Sequence, residues 1–452
     1  AKKSNSYICN SCGASQPGWS GKCHTCGEWN TIVETVAEDF SALPNSSAKT
    51  GKKLDIANMS SHEQEPRISL DTPDINTVLG GGLVPGGVVL LAGEPGIGKS
   101  TLLMQLAGQV ARKGKVLYVS GEESAEQVSA RASRLGIASD NLFFASSSSA
   151  NDIASTISAD KFMAVIVDSI QTIALKELSS GLGTISQITN STSLLSIQAK
   201  ASNTSLILVG HVTKEGSIAG PKVLEHVVDV VLHLEGNRYG GLRVLRSLKN
   251  RYGSTNEAAI FEMKDTGLEI VDNPSAALLE ERQVVDGSVV LATLEGSRPV
   301  LVEVQALVNT TSYGYPKRAT SGYDLNRLNL LIAMLERRTK LKLQDKDVYI
   351  NIVGGLKISD PAADLAIVMA VASAAKGMQL KEDAAVFGEL GLSGEIRRVS
   401  WQEKRLKEIE KLGFKSAIGP KLQKGMKKPS WYKEATNIRD ALNHFFTKKL
   451  FF

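Results

Sequence analysis

The stretch Gly93-Glu-Pro-Gly96-Ile-Gly98-Lys99-Ser100 fits the pattern G-x-x-x-x-G-K-[ST], and no other feature of the chain restricts its fold as tightly. The pattern works in one local structure only, a buried strand that delivers a glycine-rich turn onto a helix N-terminus. Both flanks agree: Val88-Val-Leu-Leu-Ala is a short apolar run, and Leu102 to Lys113 reads as a helix. Backbone N–H groups from Gly96 to Ser100 would surround a phosphate, and the helix dipole favours the anion. Gly93, Glu94, Pro95, Gly96, Ile97, Gly98, Lys99, Ser100 and Thr101 are therefore expected to bind a nucleoside triphosphate. Lys99 supplies charge near the β/γ-phosphates, and Ser100 offers its hydroxyl to Mg²⁺.

Apolar runs at 116–119, 164–167 and 206–209 alternate with helical stretches, the signature of a mostly parallel α/β sheet. Two further short strands are expected at 227–234 and 242–248. Three strand ends carry polar groups that nucleotide hydrolysis needs. Asp168 follows Ala164-Val-Ile-Val and is expected to hold the Mg²⁺ shell through water. Glu122 and Glu123 follow Leu117-Tyr-Val-Ser-Gly, and one of them is positioned to polarise the attacking water. His211 follows Leu206-Ile-Leu-Val-Gly, where a γ-phosphate sensor would sit.

All four cysteines fall in one short segment, as Cys9-x-x-Cys12 and Cys23-x-x-Cys26. Two such knuckles present the four thiolates that tetrahedral Zn²⁺ requires. Gly13 and Gly27 follow the knuckles, where a tight turn needs positive φ. A segment this short cannot bury a core unaided, so the metal would also supply its folding energy. His24 is read as a bystander.

The chain has 452 residues, enough for about three domains. The expected division is a C4 zinc finger at 1–37, a polar linker at 38–66, the nucleotide-binding domain at 67–273 and a C-terminal domain at 274–452. No run of about 18 apolar residues occurs, and Ala1-Lys-Lys-Ser-Asn-Ser lacks a signal-peptide core, so a cytoplasmic protein without membrane contact is expected. Net charge is +5 overall. Residues 273–452 carry 28 Lys/Arg against 20 Asp/Glu, or +8, leaving −3 for residues 1–272. A basic C-terminal part attached to a nucleotide site is compatible with a polyanion partner.

The Gly80-Gly-Gly-Leu string, the Asp168-Ser-Ile-Gln-Thr string and the order of strands resemble the RecA/DnaB class of motor ATPases. Lys249-Asn-Arg251-Tyr-Gly resembles the lysine-x-arginine finger of DnaB-type hexameric helicases, which reaches a neighbouring subunit's nucleotide. A four-cysteine finger, this ATPase, the K-N-R-[FY]-G string and a Lon-like C-terminal part occur together in the bacterial RadA (Sms) family, and the resemblance covers essentially the whole chain. Tyr252 stands where that family most often has phenylalanine.

The resemblance implies an α/β fold: a RecA-like P-loop ATPase core with an N-terminal C4 zinc finger and a C-terminal Lon-protease-like α+β domain. It implies ATP, Mg²⁺ and Zn²⁺, a homo-hexamer, and a DNA-dependent ATPase and helicase of homologous recombination and repair. Such a ring translocates on single-stranded DNA, promotes branch migration on branched DNA, works with a recombinase of the RecA type and is nucleoid-associated. Lys99, Glu122, Asp168, Lys249 and Arg251 are the implied catalytic residues, the last two acting on the neighbour's site. The basic pair Lys249 and Arg251 has a rival role in contacting DNA phosphates.

Lys176, Lys214 and Lys222 are expected in channel loops at 176–189 and 213–223. Lys317, Arg318 and Arg327 are expected to meet DNA phosphates, with Arg337, Arg338 and Lys340 nearby. The Ile350-Asn-Ile-Val-Gly-Gly and Phe387-Gly-Glu-Leu-Gly strings resemble Lon protease. Matching without gaps puts Ala362 at the serine nucleophile and Arg405 at the activating lysine. A methyl group cannot attack a carbonyl and a guanidinium cannot act as base, which excludes proteolysis. Two other readings compete with a motor: a DNA scaffold that uses ATP as an assembly switch, and a nucleotide-timed signalling ATPase. Directional unwinding of a forked duplex separates a motor from both.

Overall fold

In a computed structural model, the described residues are 6–9, 14–25, 27–29, 31–35, 66–211, 223–236, 241–312, 314–379 and 384–445. Cys12, Cys26, Lys214, Lys222 and the expected linker up to Glu65 lie outside them. The chain forms two compact units. One comprises residues 1–235, 245–255 and 264–268, and the other 236–244, 256–263 and 269–452. The division is thus interleaved over long strands rather than made by a single break near 273.

In the first unit, β1 (Ser6–Cys9), β2 (Ser15–Gln16) and β3 (Ile32–Thr35) make a small antiparallel sheet in the order β2-β1-β3. There follow α1 (Pro73–Leu79), β4 (Val88–Gly93), α2 (Lys99–Ala111), β5 (Val116–Ser120), α3 (Ala125–Arg134), β6 (Leu142–Ser146) and α4 (Ala150–Ala159). Then come β7 (Ala164–Asp168), α5 (Ile185–Ala201), β8 (Ser205–His211), α6 (Val223–Val227), β9 (Val230–Gly236) and β10 (Leu242–Asn250), the last passing from the second unit into the first at residue 245. These strands stand in the order β10-β9-β4-β8-β7-β5-β6. The pairs from β9 to β6 are parallel.

Every residue of β4 and β5 is buried, as continuous apolar runs require when helices cover both faces. Because β4, β5, β7 and β8 run in one direction, Gly93, Ser120, Asp168 and His211 all arrive at the same sheet edge; Gly93 pairs with His211, and Ser120 with Asp168. Ligands of open parallel sheets bind at this carboxyl-end edge. The helix expected at 102–113 begins three residues earlier, because Lys99 itself opens it. The strand expected at 227–234 starts at Val230, since α6 occupies the preceding residues.

The remaining elements are β11 (Ala258–Lys264), β12 (Gly267–Ile270), α7 (Pro274–Leu279), β13 (Ser288–Glu295), β14 (Arg298–Thr310), β15 (Arg318–Ser321), α8 (Leu325–Arg338) and β16 (Lys346–Ile352). After these come α9 (Ala363–Lys376), β17 (Ala384–Val386), β18 (Glu389–Leu390), β19 (Ile396–Arg397), α10 (Gln402–Lys411), β20 (Ser416–Gly419), β21 (Tyr432–Glu434) and α11 (Ile438–Phe445). The second unit centres on a seven-stranded mixed sheet in the order β15-β16-β14-β13-β17-β20-β21. Helix α9 is buried continuously from Ala363 to Ser373, as a core helix apolar all round must be. Helix α8 ends at Arg338, and Leu341 and Leu343 enter the core beyond it.

Candidate nucleotide site

The phosphate loop has the backbone the motif demands. Gly96 and Gly98 hold φ of +76° and +113°, a region open to glycine at little cost. A Cβ on Gly93 would lie 2.5 Å from the Leu234 carbonyl oxygen. No side chain caps the N-terminus of α2, so its first N–H groups stay available to an anion. Lys99 is 5% exposed, and its Nζ donates to the Gly93 carbonyl at 2.9 Å and the Glu94 carbonyl at 3.0 Å. It also lies 3.1 Å from His211 Nδ1. An ammonium can only donate, so the imidazole accepts there. Burial lowers the Lys99 ammonium to about 8 against the pull of Asp168. Burial, and then Lys99, push the His211 imidazolium down, which keeps that ring neutral.

Asp168 ends β7 with one oxygen engaged: Tyr118 Oη donates to Oδ2 at 2.6 Å. The two glutamates differ in their partners. Arg131 grips Glu123 with both terminal nitrogens, one at 2.7 Å from Oε2. Among the described residues the Glu122 carboxylate accepts from Ser169 Oγ, at 3.3 Å. The Ser120 hydroxyl accepts from both backbone N–H groups, at 3.2 Å from Glu122 and 3.0 Å from Glu123, and so shapes the turn. A Cβ on Gly121 would stand 2.5 Å from Thr172 Oγ1. The half-buried Ser100 hydroxyl and the second oxygen of Asp168 are hard oxygen donors of the kind Mg²⁺ takes, so the site fits that ion. Tyr118, Ser120, Arg131 and Ser169 were not expected from sequence. The signal at Tyr118 was a lone hydroxyl in an aliphatic strand, which must find a partner when buried.

Lys249 and Arg251 lie elsewhere. β9 and β10 meet at both ends: a Cβ on Gly236 would touch the Leu242 carbonyl, and Arg251 N–H donates to the Asp229 carbonyl at 3.1 Å. Asp229 in turn donates its N–H to Val88, at the start of β4. The pair therefore sits at the amino-end edge of the sheet, whereas the phosphate loop leaves β4 at Gly93. Five residues of strand, roughly 17 Å, separate those edges. Lys249 Nζ donates to the Val228 carbonyl at 2.8 Å and to the Glu225 carbonyl. The half-exposed Arg251 pairs with buried Asp229 at 3.0 Å, and Asp229 Oδ2 also accepts from Val88 N–H at 3.1 Å. The Arg67 guanidinium donates to the Tyr252 carbonyl at 2.9 Å.

In the cysteine segment, Cys9 and Cys23 are both buried in one cluster with Ile32. Thr25 N–H points at Cys23 Sγ at 3.4 Å, and Gly27 turns at φ +77°. A buried Cys23 sulfur facing a backbone N–H fits a thiolate–zinc knuckle. One zinc per chain is the expected outcome of elemental analysis, lost in the Cys9→Ser/Cys26→Ser protein. That protein is expected to keep nucleotide binding, because the phosphate loop rests on its own buried sheet. A metal-free chain with full activity contradicts this.

Several expected DNA contacts are placed differently. Arg327 is engaged within the chain: its guanidinium pairs with Asp364, which is 1% exposed, with Nε 3.1 Å from Oδ1, and it also donates to the Leu390 carbonyl at 2.8 Å. Burying that carboxylate takes up the charge expected for phosphate. Exposed Lys176 pairs with Asp152 at 3.3 Å. Lys317 is exposed, and Arg318 is half-buried beside Asn329. Ala362 is fully buried and Arg405 is 1% exposed. Asp360 joins them, accepting from Ala362 N–H at 3.0 Å and pairing with Arg405 at 2.7 Å.

Family models match three stretches: one described as an AAA domain at residues 63–217, a rubredoxin metal binding domain at 7–34, and subunit ChlI of Mg-chelatase at 327–423. DNA repair protein RadA of Listeria monocytogenes is 46% identical over 429 residues, covering 94% of each chain. The proteins of that name from Pseudomonas aeruginosa and Bacillus subtilis are 48% and 47% identical, each covering 93% of both chains. A solved structure titled "Crystal structure of the RadB recombinase" matches 45% of this chain at 25% identity, with a TM-score of 0.36. The architecture is a RecA-like P-loop core with an N-terminal zinc ribbon and a C-terminal Lon-like domain. Among the described residues no helix is long and apolar enough to cross a membrane.

Proposed function

The chain belongs to the family of DNA repair protein RadA, and from that membership and the geometry of the nucleotide site we propose a DNA-dependent ATPase of repair and homologous recombination that works as a hexameric ring. The ring translocates on single-stranded DNA, migrates branches on branched DNA and works with a RecA-type recombinase. One observation supports shared sites above all. Lys249 and Arg251 sit at the sheet edge opposite their own phosphate loop, held there by the Val228 carbonyl and by Asp229, so a nucleotide they reach on leaving those partners belongs to another copy of the chain.

In this reading the N–H groups of Gly96 to Ser100 hold the phosphates, and Lys99 leaves the Gly93 and Glu94 carbonyls to face them. Ser100, with Asp168 through water, holds Mg²⁺, which when bound neutralises phosphate charge. Glu122 takes the proton of the attacking water, since Arg131 occupies Glu123. Charge developing on the γ-phosphoryl oxygens meets Lys249 and Arg251 of the neighbour. His211 loses its contact with Lys99 and passes nucleotide state to the loop that follows. Ala362 and Arg405 leave no nucleophile or base, so no peptidase activity is expected. Single-stranded DNA should raise the ATPase rate, and the chain should unwind a forked duplex with one polarity. ATP-dependent binding without strand displacement favours the scaffold.

For the Lon-like domain the DNA surface centres on Lys317 and Arg318, with exposed Arg337, Arg338 and Lys340 nearby. Neutralising Lys317 and Arg318 is expected to flatten the log–log salt dependence of single-strand binding by about 0.7 for each phosphate left without its cation, with basal hydrolysis unchanged. An unchanged slope, measured by anisotropy across salt, returns both cations to the solvated surface.

A further inference from the structure

Tyr118 is 1% exposed in the middle of β5, and its ring is one of the largest fully buried side chains among the described residues. β5 and β7 pair in parallel with Tyr118 opposite Ile166 and Ser120 opposite Asp168. Tyr118 therefore stands one pleat behind Asp168 on the same face, a diagonal neighbour within reach of a long side chain. Its hydroxyl spans that diagonal and donates to Asp168 Oδ2 at 2.6 Å. A carboxylate at a strand end rotates broadly about χ2 unless something fixes it. With Oδ2 held, Oδ1 is the oxygen turned to the metal's water shell.

We propose that Tyr118 is a positioning residue whose hydroxyl fixes the Asp168 carboxylate and thereby sets how tightly the nucleotide site takes Mg²⁺. The proposal rests on the reading of Asp168 as the metal-shell carboxylate. Groups one layer behind metal ligands govern affinity by about 10- to 100-fold, and because Asp168 reaches the ion through water, Tyr118 stands one layer further out and falls at the lower end of that range. Phenylalanine fills the same space and keeps the ring's packing, so Tyr118→Phe removes the donor alone.

The test uses the full chain and the fluorescent nucleotide mant-ADP, titrated with Mg²⁺, and so does not depend on turnover. Tyr118→Phe is expected to raise the Mg²⁺ concentration at half-saturation by about tenfold. Its mant-ADP affinity in EDTA and its thermal midpoint should match the parent. Asp168→Asn should raise the same Mg²⁺ midpoint further, and adding Tyr118→Phe to it should cause no additional shift. If Asp168→Asn leaves the midpoint unchanged, the reading of Asp168 is wrong. If Asp168→Asn shifts it and Tyr118→Phe does not, the role of Tyr118 is overturned. An equal shift from Tyr118→Phe in both backgrounds, or a matching loss of affinity in EDTA, overturns it as well, since either makes the effect one of packing.

Discussion

Lys99→Ala is expected to lower ATP hydrolysis by about three orders of magnitude while leaving the fold in place. The lysine is buried beside Gly93, Glu94 and His211, and burial already disfavours its charge. The molecule thus bears the cost of a desolvated ammonium that makes no ion pair with a carboxylate among the described residues. Phosphate oxygens are the partner that compensates that buried charge. Removing the side chain relieves that cost, so the thermal midpoint without nucleotide should not fall. Stabilisation by ATP, in contrast, should shrink sharply. Normal turnover in a folded Lys99→Ala protein, measured by phosphate release, contradicts the assignment of the loop.

Arg251→Ala and Glu122→Gln subunits should each be nearly inactive alone and regain activity when mixed. A finger arginine contributes about 10³-fold or more to phosphoryl transfer, and a general base about 10²-fold or more. Each mutant lacks a different half of a shared site. In randomly mixed rings about one boundary in four joins an intact base to an intact arginine, as expected for head-to-tail contacts between copies. Recovery of about that fraction of the parent rate is the expected result. Mixed rings verified by mass that show no recovery exclude action across the boundary.

Much of the nucleotide site was legible because its residues answer to backbone rules. The loop needs glycine at positive φ, and strands buried on both faces need continuous apolar runs; both marks stand in the linear order. The strand ends at Asp168 and His211 followed directly. Which glutamate is held by a neighbour was not legible, because Arg131 grips Glu123 through a side-chain fork eight residues away. Arg327 shows a second limit. Its helical pattern places it at a polar edge, yet its partner Asp364 lies 37 residues further on and is buried. Periodicity distinguishes faces of an element and says nothing about what a distant element brings against them. Asp229 was missed for the same reason: it falls inside the strand expected at 227–234 with no sign of a partner, but it is the buried anchor of Arg251.

The ion pair of Arg405 with Asp360 bars the shortest route to peptidase chemistry in the Lon-like domain. A lysine restored at 405 would inherit Asp360 at close range, remain charged through neutral pH and fail as a base. A serine restored at 362 would stand in a position without solvent exposure, where no peptide carbonyl arrives. Either reversion alone disturbs a packed interior, and the two together regain nothing until Asp360 also changes and a path to the surface opens. Selection for peptidase chemistry therefore has no single rewarding step to take, and the fold is left free to be shaped by other demands.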